Sequence, residues 1–106
     1  MKEYNKLVRD YIPQVIERNG SKAAFHILSH KEYMEELDKK LNEEVKEYQE
    51  DKSLEEMADI LEVLQAICVA RGYTVEELEA KRIEKAAARG GFQKKLFLEY
   101  VEEGII

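Results

Sequence analysis

Three segments of the chain begin with the same helix-start signature, and this feature constrains the fold more than any other. A serine or threonine followed three residues later by glutamate can close the first helical turn through two reciprocal hydrogen bonds. The signatures are Ser29-His-Lys-Glu32, Ser53-Leu-Glu-Glu56 and Thr74-Val-Glu-Glu77. Each precedes a stretch in which apolar residues recur every three or four positions, as in a helix with one buried face. The chain is therefore predicted to be all-α.

The ends of these helices are also marked. The predicted ends are Gln49–Asp51 for the first long helix, Arg71 before Gly72 for the second, and Arg89 before Gly90-Gly91 for the third. Glycine just past a helix end adopts the left-handed conformation that stops the helix. A shorter helix is predicted upstream, from a cap at Asp10 to Arg18, with Pro13 in its first turn. Residues 22–28 and 94–101 could each form a short extended segment, and the second could equally be a last helix.

The two central helices are joined by a few residues and are expected to form an antiparallel helical hairpin. The apolar residues of the second helix cover more than half of its circumference; they are Leu54, Met57, Ala58, Ile60, Leu61, Val63, Leu64, Ile67 and Cys68. One neighbouring helix cannot bury so wide an arc. We therefore expect a multi-helix bundle completed by further copies of the chain, as a homodimer or a homotetramer.

The hairpin also carries nine acidic residues between Leu41 and Glu62. Helical spacing places Glu44 and Glu47 beside the apolar stripe of the first helix. It places Glu56 inside the apolar arc of the second helix and Asp59 at its edge. The remaining five are predicted to be solvated: Glu43, Glu50, Asp51, Glu55 and Glu62. Glu56 has a second interpretation, because it is also the last residue of a capping box.

Carboxylates next to a buried seam destabilise the fold unless a cation or a proton compensates them. A hard divalent cation, Mg²⁺ or Mn²⁺, suits a set made only of carboxylate oxygens. A di-iron bundle site would need histidines within the hairpin, but the two histidines of the chain, His26 and His30, precede both central helices. The pattern therefore predicts Glu44, Glu47, Glu56 and Asp59 as metal ligands.

Composition narrows the class of partner. The chain has 106 residues, a net charge of −6 and one cysteine, Cys68. One domain spanning residues 1–106 is expected. The negative charge disfavours DNA and RNA as partners, and no apolar run reaches the length of a membrane span. Cys68 is expected to be a small buried hydrophobe, and a lone cysteine with no signal-peptide pattern fits a cytoplasmic protein.

The acidic pattern resembles the all-α nucleoside triphosphate pyrophosphohydrolase superfamily, which includes MazG-like proteins, phosphoribosyl-ATP pyrophosphohydrolase and the helical dUTPases. The matching residues are Lys40, then Glu43-Glu44-x-x-Glu47, then Glu56-x-x-Asp59. Two flanking motifs also resemble small single-domain members. They are Tyr4-Asn5-Lys6-Leu7-Val8-Arg9-Asp10 with Ile12-Pro13, and Lys85-x-x-x-Arg89-Gly90-Gly91-Phe92. The similarity spans nearly the whole chain, although the spacer at residues 48–55 is shorter than in many MazG-like members.

The resemblance implies a Mg²⁺-dependent hydrolase that cleaves a nucleotide between its α and β phosphates and releases pyrophosphate. The four carboxylates would be the catalytic and metal-binding residues. The implied substrate-binding residues are Lys40, Lys85, Arg89, Asn5, Lys6 and Arg9. Lys85 and Arg89 could instead be basic residues that favour a helix end. Asn5, Lys6 and Arg9 could instead belong to an N-terminal arm held by salt bridges. The alternative function is a non-catalytic helical interaction module or a nucleotide-sensing module with the same fold.

Overall fold

The computed structural model of the protein describes residues 1–104. Over these residues the backbone forms four α-helices and no β-strand: α1 Ile12–Arg18, α2 His30–Asp51, α3 Leu54–Ala70 and α4 Val75–Arg89. The all-α prediction is confirmed. None of these helices within residues 1–104 combines the length and the apolar character that a membrane crossing requires.

The long helices begin at the predicted caps. At the start of α2, Ser29 Oγ accepts a hydrogen bond from the Glu32 N–H at 3.2 Å, and Glu32 Oε1 accepts one from the Ser29 N–H at 3.3 Å. At the start of α3, Ser53 Oγ accepts a hydrogen bond from the Glu56 N–H at 3.3 Å. These bonds satisfy backbone donors that the first turn of a helix leaves without partners.

Helix α1 differs from its prediction at its first residue. Tyr11, not Asp10, is the N-cap, and no side-chain cap bond forms there in the described chain. Pro13 lies in the first turn, where its fixed φ favours the helix. The Ile12 N–H donates to the Arg9 carbonyl at 3.1 Å, so a backbone turn replaces the side-chain cap. The predicted cap at Asp10 was wrong, whereas the predicted end at Arg18 is confirmed.

Residues 22–28 and 94–101 form neither a strand nor a helix within the described chain. A short extended segment needs a neighbouring strand to pair its N–H and C=O groups. Most of the large apolar side chains in these two segments are exposed, including Ile27 and Phe97 at 93% and 90%. The suggestion of a short strand at these places, and that of a last helix at 94–101, were therefore wrong.

Helices α2 and α3 pack against each other as the predicted hairpin. Only Lys52 and Ser53 connect them, and the Lys52 N–H donates to the Tyr48 carbonyl at 2.7 Å to close α2. Near the other end, Arg71 lies 3.7 Å from Asp38, as an antiparallel arrangement requires. Gly72 has a φ of +91° just past α3, in agreement with the predicted stop.

The core between α2 and α3 is small. Among residues 1–104 the buried apolar side chains are Leu37, Val63 and Cys68, and the buried charged side chain is Glu44. The Cys68 thiol donates to the Thr74 carbonyl at 3.2 Å, which agrees with the expected structural role of this residue. The hairpin thus buries a carboxylate beside a handful of apolar side chains.

The apolar arc of α3 is divided between two sides of the helix. Ile60, Val63 and Ile67 are buried or half-buried. The other stripe is exposed, and we call it the outer apolar face: Leu54, Met57, Leu61 and Leu64, at 79%, 45%, 53% and 40% exposed. One neighbouring helix therefore covers only part of the arc, as the sequence pattern indicates.

The chain forms two compact units, Met1–Val75 and Glu76–Ile106. The first contains α1, the α2–α3 hairpin and the N-terminal segment. In the second, α4 carries ion pairs on its surface, such as Arg82 with Glu79 and Lys81 with Glu84. It ends at Arg89, and Gly90 follows with a φ of +85°, so the predicted glycine stop is confirmed. A single functional domain over the whole chain stays a prediction.

Candidate metal centre

Three carboxylates of the hairpin come together in the first unit. Glu44 projects from α2, while Glu56 and Asp59 project from α3 three residues apart and so share one side of that helix. One oxygen from each of them lies within 4.8 Å of the others. Two oxygens on opposite sides of a single Mg²⁺ are about 4.2 Å apart, since each Mg–O bond is about 2.1 Å long. We call Glu44, Glu56 and Asp59 the carboxylate triad.

Two oxygens of the triad lack the hydrogen bonds that buried polar atoms normally make. Oε2 of Glu44 and Oε2 of Glu56 are both shielded from solvent, and no residue within 1–104 donates a hydrogen bond to either. Glu44 as a whole is only 7% exposed. An unpaired buried acceptor costs about 1–3 kcal/mol. A proton or a metal ion could supply the missing partner of these two oxygens.

The backbone and the side chain of Glu56 make different contacts. Its backbone N–H forms the α3 cap with Ser53, and its carboxylate oxygen Oε2 lies buried beside the other acidic groups. The cap therefore fixes the first turn of α3 and leaves this carboxylate oxygen for a ligand. The sequence left the cap and the ligand interpretations open: the Ser53 side-chain bond of the cap is present, and the ligand interpretation stays a prediction.

The electrostatic environment of the triad is unfavourable to ionised carboxylates. Burial raises the pKa of Glu44, and the charges of Glu47 and Asp59 raise it further against the opposing charge of Lys40. Desolvation likewise raises the pKa of Glu56, followed by the charges of Glu47, Asp59 and Asp51. A divalent cation would lower both pKa values, because it favours the charged form of each acid.

Glu47 is the fourth predicted ligand, and it adjoins the triad. It is half-buried on α2, and its charge acts on both Glu44 and Glu56. A proton on Glu44 or on Glu56 could be shared with Glu47, which also raises the pKa of both neighbours. All four carboxylates of the predicted quartet are thus adjacent to one another on the hairpin.

Basic side chains form ion pairs with acidic residues in and next to the triad. Arg9 Nη2 lies 2.7 Å from Asp59 Oδ1, and Lys6 Nζ lies 3.0 Å from Glu43 Oε1. Lys40, one turn before Glu44 on α2, lies 3.4 Å from Glu44 Oε1. The N-terminal segment is therefore held to the hairpin by salt bridges, as the structural interpretation of its motif anticipates. Its role in substrate binding stays a prediction.

A small cavity lies between the N-terminal segment and α2. It has a volume of about 150 Å³ and is lined by Asn5, Lys6, Leu7, Glu36, Lys39, Lys40 and Glu43. Asn5 has a φ of +47°, in the left-handed region that asparagine tolerates better than most residues. The structure thus brings three of the predicted substrate-binding residues, Asn5, Lys6 and Lys40, around one cavity.

Glu43 was predicted to be solvated, and it is only partly so. Its side chain is 30% exposed and accepts a hydrogen bond from Lys6. Burial acts to raise its pKa, but the hydrogen bond from Lys6 and the charge of Lys40 outweigh burial and lower it. The helical spacing of α2 cannot reveal this contact, because Lys6 is 37 residues away along the chain. The other four acids predicted to be solvated are exposed.

The remaining predicted residues, Lys85 and Arg89, lie one turn apart at the end of α4 in the second unit. Their contact with a substrate stays a prediction. Comparison with known proteins adds no family: no protein-family model, no curated protein and no solved structure matches this chain.

Proposed function

We propose that the protein is a Mg²⁺-dependent nucleotide pyrophosphohydrolase, which cleaves a nucleoside triphosphate or a related nucleotide between the α and β phosphates. The observation that carries the proposal is the buried Glu44 carboxylate. Its Oε2 accepts no hydrogen bond within the described chain, and it lies in one cluster with Glu56 and Asp59. The resemblance of three ordered sequence motifs to the all-α pyrophosphohydrolases supplies the reaction type.

The donor set suits Mg²⁺, with Mn²⁺ as a substitute, because the triad offers only carboxylate oxygens. Glu44, Glu56 and Asp59 would hold the cation, with Glu47 beside them as a further ligand. When bound, such a cation neutralises phosphate charge and lowers the pKa of a water molecule. A carboxylate of the quartet that is not fully engaged would accept the proton from that water.

The basic residues near the triad would contribute to catalysis by stabilising negative charge. Arg9 and Lys40 form ion pairs with Asp59 and Glu44 of the triad, and Lys6 forms one with Glu43, which adjoins Glu44 in the sequence. Positive side chains at these positions would stabilise the charge that builds on the departing pyrophosphate. Lys85 and Arg89 are proposed as further substrate ligands because of their motif alone.

We also propose a homodimer or a homotetramer in the cytoplasm. The oligomer is proposed because α3 exposes its outer apolar face, and exposed apolar stripes of this kind mark interfaces. The cytoplasmic location is proposed because the single cysteine is a buried free thiol, which fits a reducing compartment.

A direct test is turnover of a panel of nucleotides with Mg²⁺, followed by product analysis. Pyrophosphate release from at least one nucleotide is expected. Glu47→Gln and Asp59→Asn should each lower kcat/KM by about 100-fold, as loss of one charged ligand removes roughly 3 kcal/mol. Glu50→Gln, an exposed position of α2, is the matched control and should retain full activity. If no nucleotide is hydrolysed and both quartet variants bind metal like the native chain, the proposal is wrong.

The second candidate is a non-catalytic interaction or nucleotide-sensing module, and the Arg9–Asp59 ion pair favours it. That pair already neutralises one carboxylate of the triad without any metal ion. Thermal unfolding separates the two candidates, because a ligand that binds only the folded state raises the melting temperature. A Mg²⁺ concentration of 100 times Kd would add about 2.7 kcal/mol. An unchanged Tm at millimolar Mg²⁺ would support the module, whereas a rise favours the enzyme.

A further inference from the structure

The Arg9–Asp59 ion pair places a guanidinium beside the carboxylates proposed to hold the metal. Arg9 Nη2 is 2.7 Å from Asp59 Oδ1. Asp59 shares a cluster with Glu44 and Glu56, whose Oε2 atoms accept no hydrogen bond from residues 1–104. The guanidinium therefore neutralises Asp59, while Oε2 of Glu44 and Oε2 of Glu56 have no hydrogen-bond donor within residues 1–104.

The position of Arg9 is built by the fold around it. Its carbonyl accepts the Ile12 N–H at 3.1 Å in the turn that begins α1. Three residues earlier, Lys6 is held to Glu43 at 3.0 Å on α2. The side chains of Arg9 and Asp59 are nevertheless 56% and 36% exposed. The Arg9 carbonyl is thus fixed in the α1 turn and Lys6 ties the preceding residues to α2, while the Arg9 side chain remains largely exposed.

We infer that Arg9 is an exchangeable counter-charge: it holds Asp59 until a divalent cation takes over that carboxylate, and it then binds the phosphate groups that arrive with the cation. This inference rests on the proposed metal-dependent function. The guanidinium and a metal ion would compete for the negative charge of Asp59, so Arg9 is expected to weaken metal binding. Once released, its planar set of N–H donors suits phosphate oxygens. Arg9 is therefore a positioning residue for the empty site and a phosphate ligand for the loaded one.

The two parts of the inference predict opposite changes in one variant. Arg9→Gln removes the competitor of the metal, so it should bind Mn²⁺ roughly two- to five-fold more tightly than the native chain, the range expected for one exposed ion pair. The same variant lacks a phosphate ligand, so with Mn²⁺ saturating it should bind inorganic pyrophosphate about tenfold more weakly. A residue that only held the N-terminal segment in place would not raise metal affinity on removal.

The experiment measures Mn²⁺ binding by electron paramagnetic resonance and pyrophosphate binding by calorimetry, on the full chain. Arg71→Gln is the control variant, because Arg71 pairs with Asp38 and its loss lowers the net charge by the same amount. Both affinities should stay near those of the native chain in that control. Arg9→Lys keeps the charge and should remain within about twofold of the native Mn²⁺ affinity, which provides a second test if Arg9→Gln folds poorly.

The outcomes separate this inference from the proposed function. Tighter Mn²⁺ binding with weaker pyrophosphate binding by Arg9→Gln supports the exchange. If the native chain binds Mn²⁺ and Arg9→Gln binds it equally or more weakly, the exchange is overturned and the metal site remains. Unchanged pyrophosphate affinity overturns the hand-over to phosphate. If neither the native chain nor the variant binds Mn²⁺, the proposed function fails together with the inference.

Discussion

Glu44 is the residue whose environment departs most from that of an ordinary surface carboxylate. It is 7% exposed, and its Oε2 accepts no hydrogen bond from the described residues. Lys40 lies 3.4 Å from the other oxygen. One ion pair on one oxygen does not compensate the burial of the whole group. The fold therefore keeps a destabilising carboxylate, which is common at functional sites.

Replacing this carboxylate should stabilise the protein in the absence of metal. With a chelator at pH 7, Glu44→Gln is expected to raise the free energy of unfolding by about 1 kcal/mol, since a neutral amide is less costly to bury than a charge. Glu50→Gln, at an exposed position of the same helix, should change it little. Urea unfolding checks both, and a large loss of stability in Glu44→Gln would contradict the account given for Glu44.

The stabilisation by Glu44→Gln should depend on pH in a defined direction. The folded-state pKa of Glu44 is raised from 4.5 by burial and neighbouring charge, so the folded protein holds this proton more tightly than the unfolded chain does. The native chain therefore loses stability as pH rises from about 4.5 through that raised pKa, and the loss is constant above it. The advantage of Glu44→Gln should be absent below pH 4.5 and complete only above the raised pKa of Glu44. Unfolding curves of both chains at a series of pH values, with a chelator present, would measure it, and an advantage that grew on acidification would refute it.

The residues of the quartet could be predicted from the sequence because helical spacing alone fixes which side of a helix they occupy. Glu44, Glu56 and Asp59 are buried or half-buried, as their positions in the apolar pattern indicate. The contacts of Arg9 and Lys6 could not be predicted in this way. They join residues that are 50 and 37 positions apart, through a segment with no regular periodicity.

Among the secondary-structure elements, α3 depends most on its first turn, because Glu56 lies in that turn. The Ser53 cap and the Glu56 carboxylate occupy the same few residues. The Ser29 cap of α2, in contrast, lies four turns before Glu44. The caps of α2 and α3 could be predicted because each cap bond joins residues only three positions apart in the sequence. The start of α1 was not, because the Pro13 turn competes with the Asp10 side chain.

The two caps provide a matched pair of variants. Ser29→Ala and Ser53→Ala should each lower the free energy of unfolding by about 1 kcal/mol, the usual effect of losing a cap. Only Ser53→Ala should also weaken Mg²⁺ binding, because fraying of that turn displaces Glu56. Chemical unfolding and calorimetric Mg²⁺ titration measure the two effects. Equal metal affinity in both variants would show that the first turn of α3 does not position the ligand.

For the whole molecule, the ratio of buried to exposed apolar surface determines how stable a single chain can be. Three apolar side chains are buried within residues 1–104, whereas the outer apolar face of α3 remains in solvent. A small domain with so little core is marginally stable by itself. The arc of α3 was visible in the sequence. The surface that covers this arc could not be predicted, because the sequence pattern shows which residues are apolar and not what they pack against.

A charge on the outer apolar face should separate the subunits. Leu61→Glu is expected to reduce the mass measured by light scattering from a multiple of 12.4 kDa to that of one chain, because an interface cannot readily bury an unpaired carboxylate. The control is Ile27→Glu, which adds the same charge at a side chain that is 93% exposed in an irregular segment. A native chain that is monomeric at micromolar concentration would refute the proposed oligomer.

The division of α3 into distinct sides has a consequence for how its sequence can vary. The side that packs against α2 also carries Glu56 and Asp59, which meet Glu44 there, and the outer apolar face is the proposed contact with a second subunit. Glu55 and Glu62, exposed and two turns apart, mark a narrow line between these surfaces. In a library that randomises every position of α3, freely exchangeable residues should therefore fall on that line alone. The sequence of α3 would then change slowly over evolutionary time.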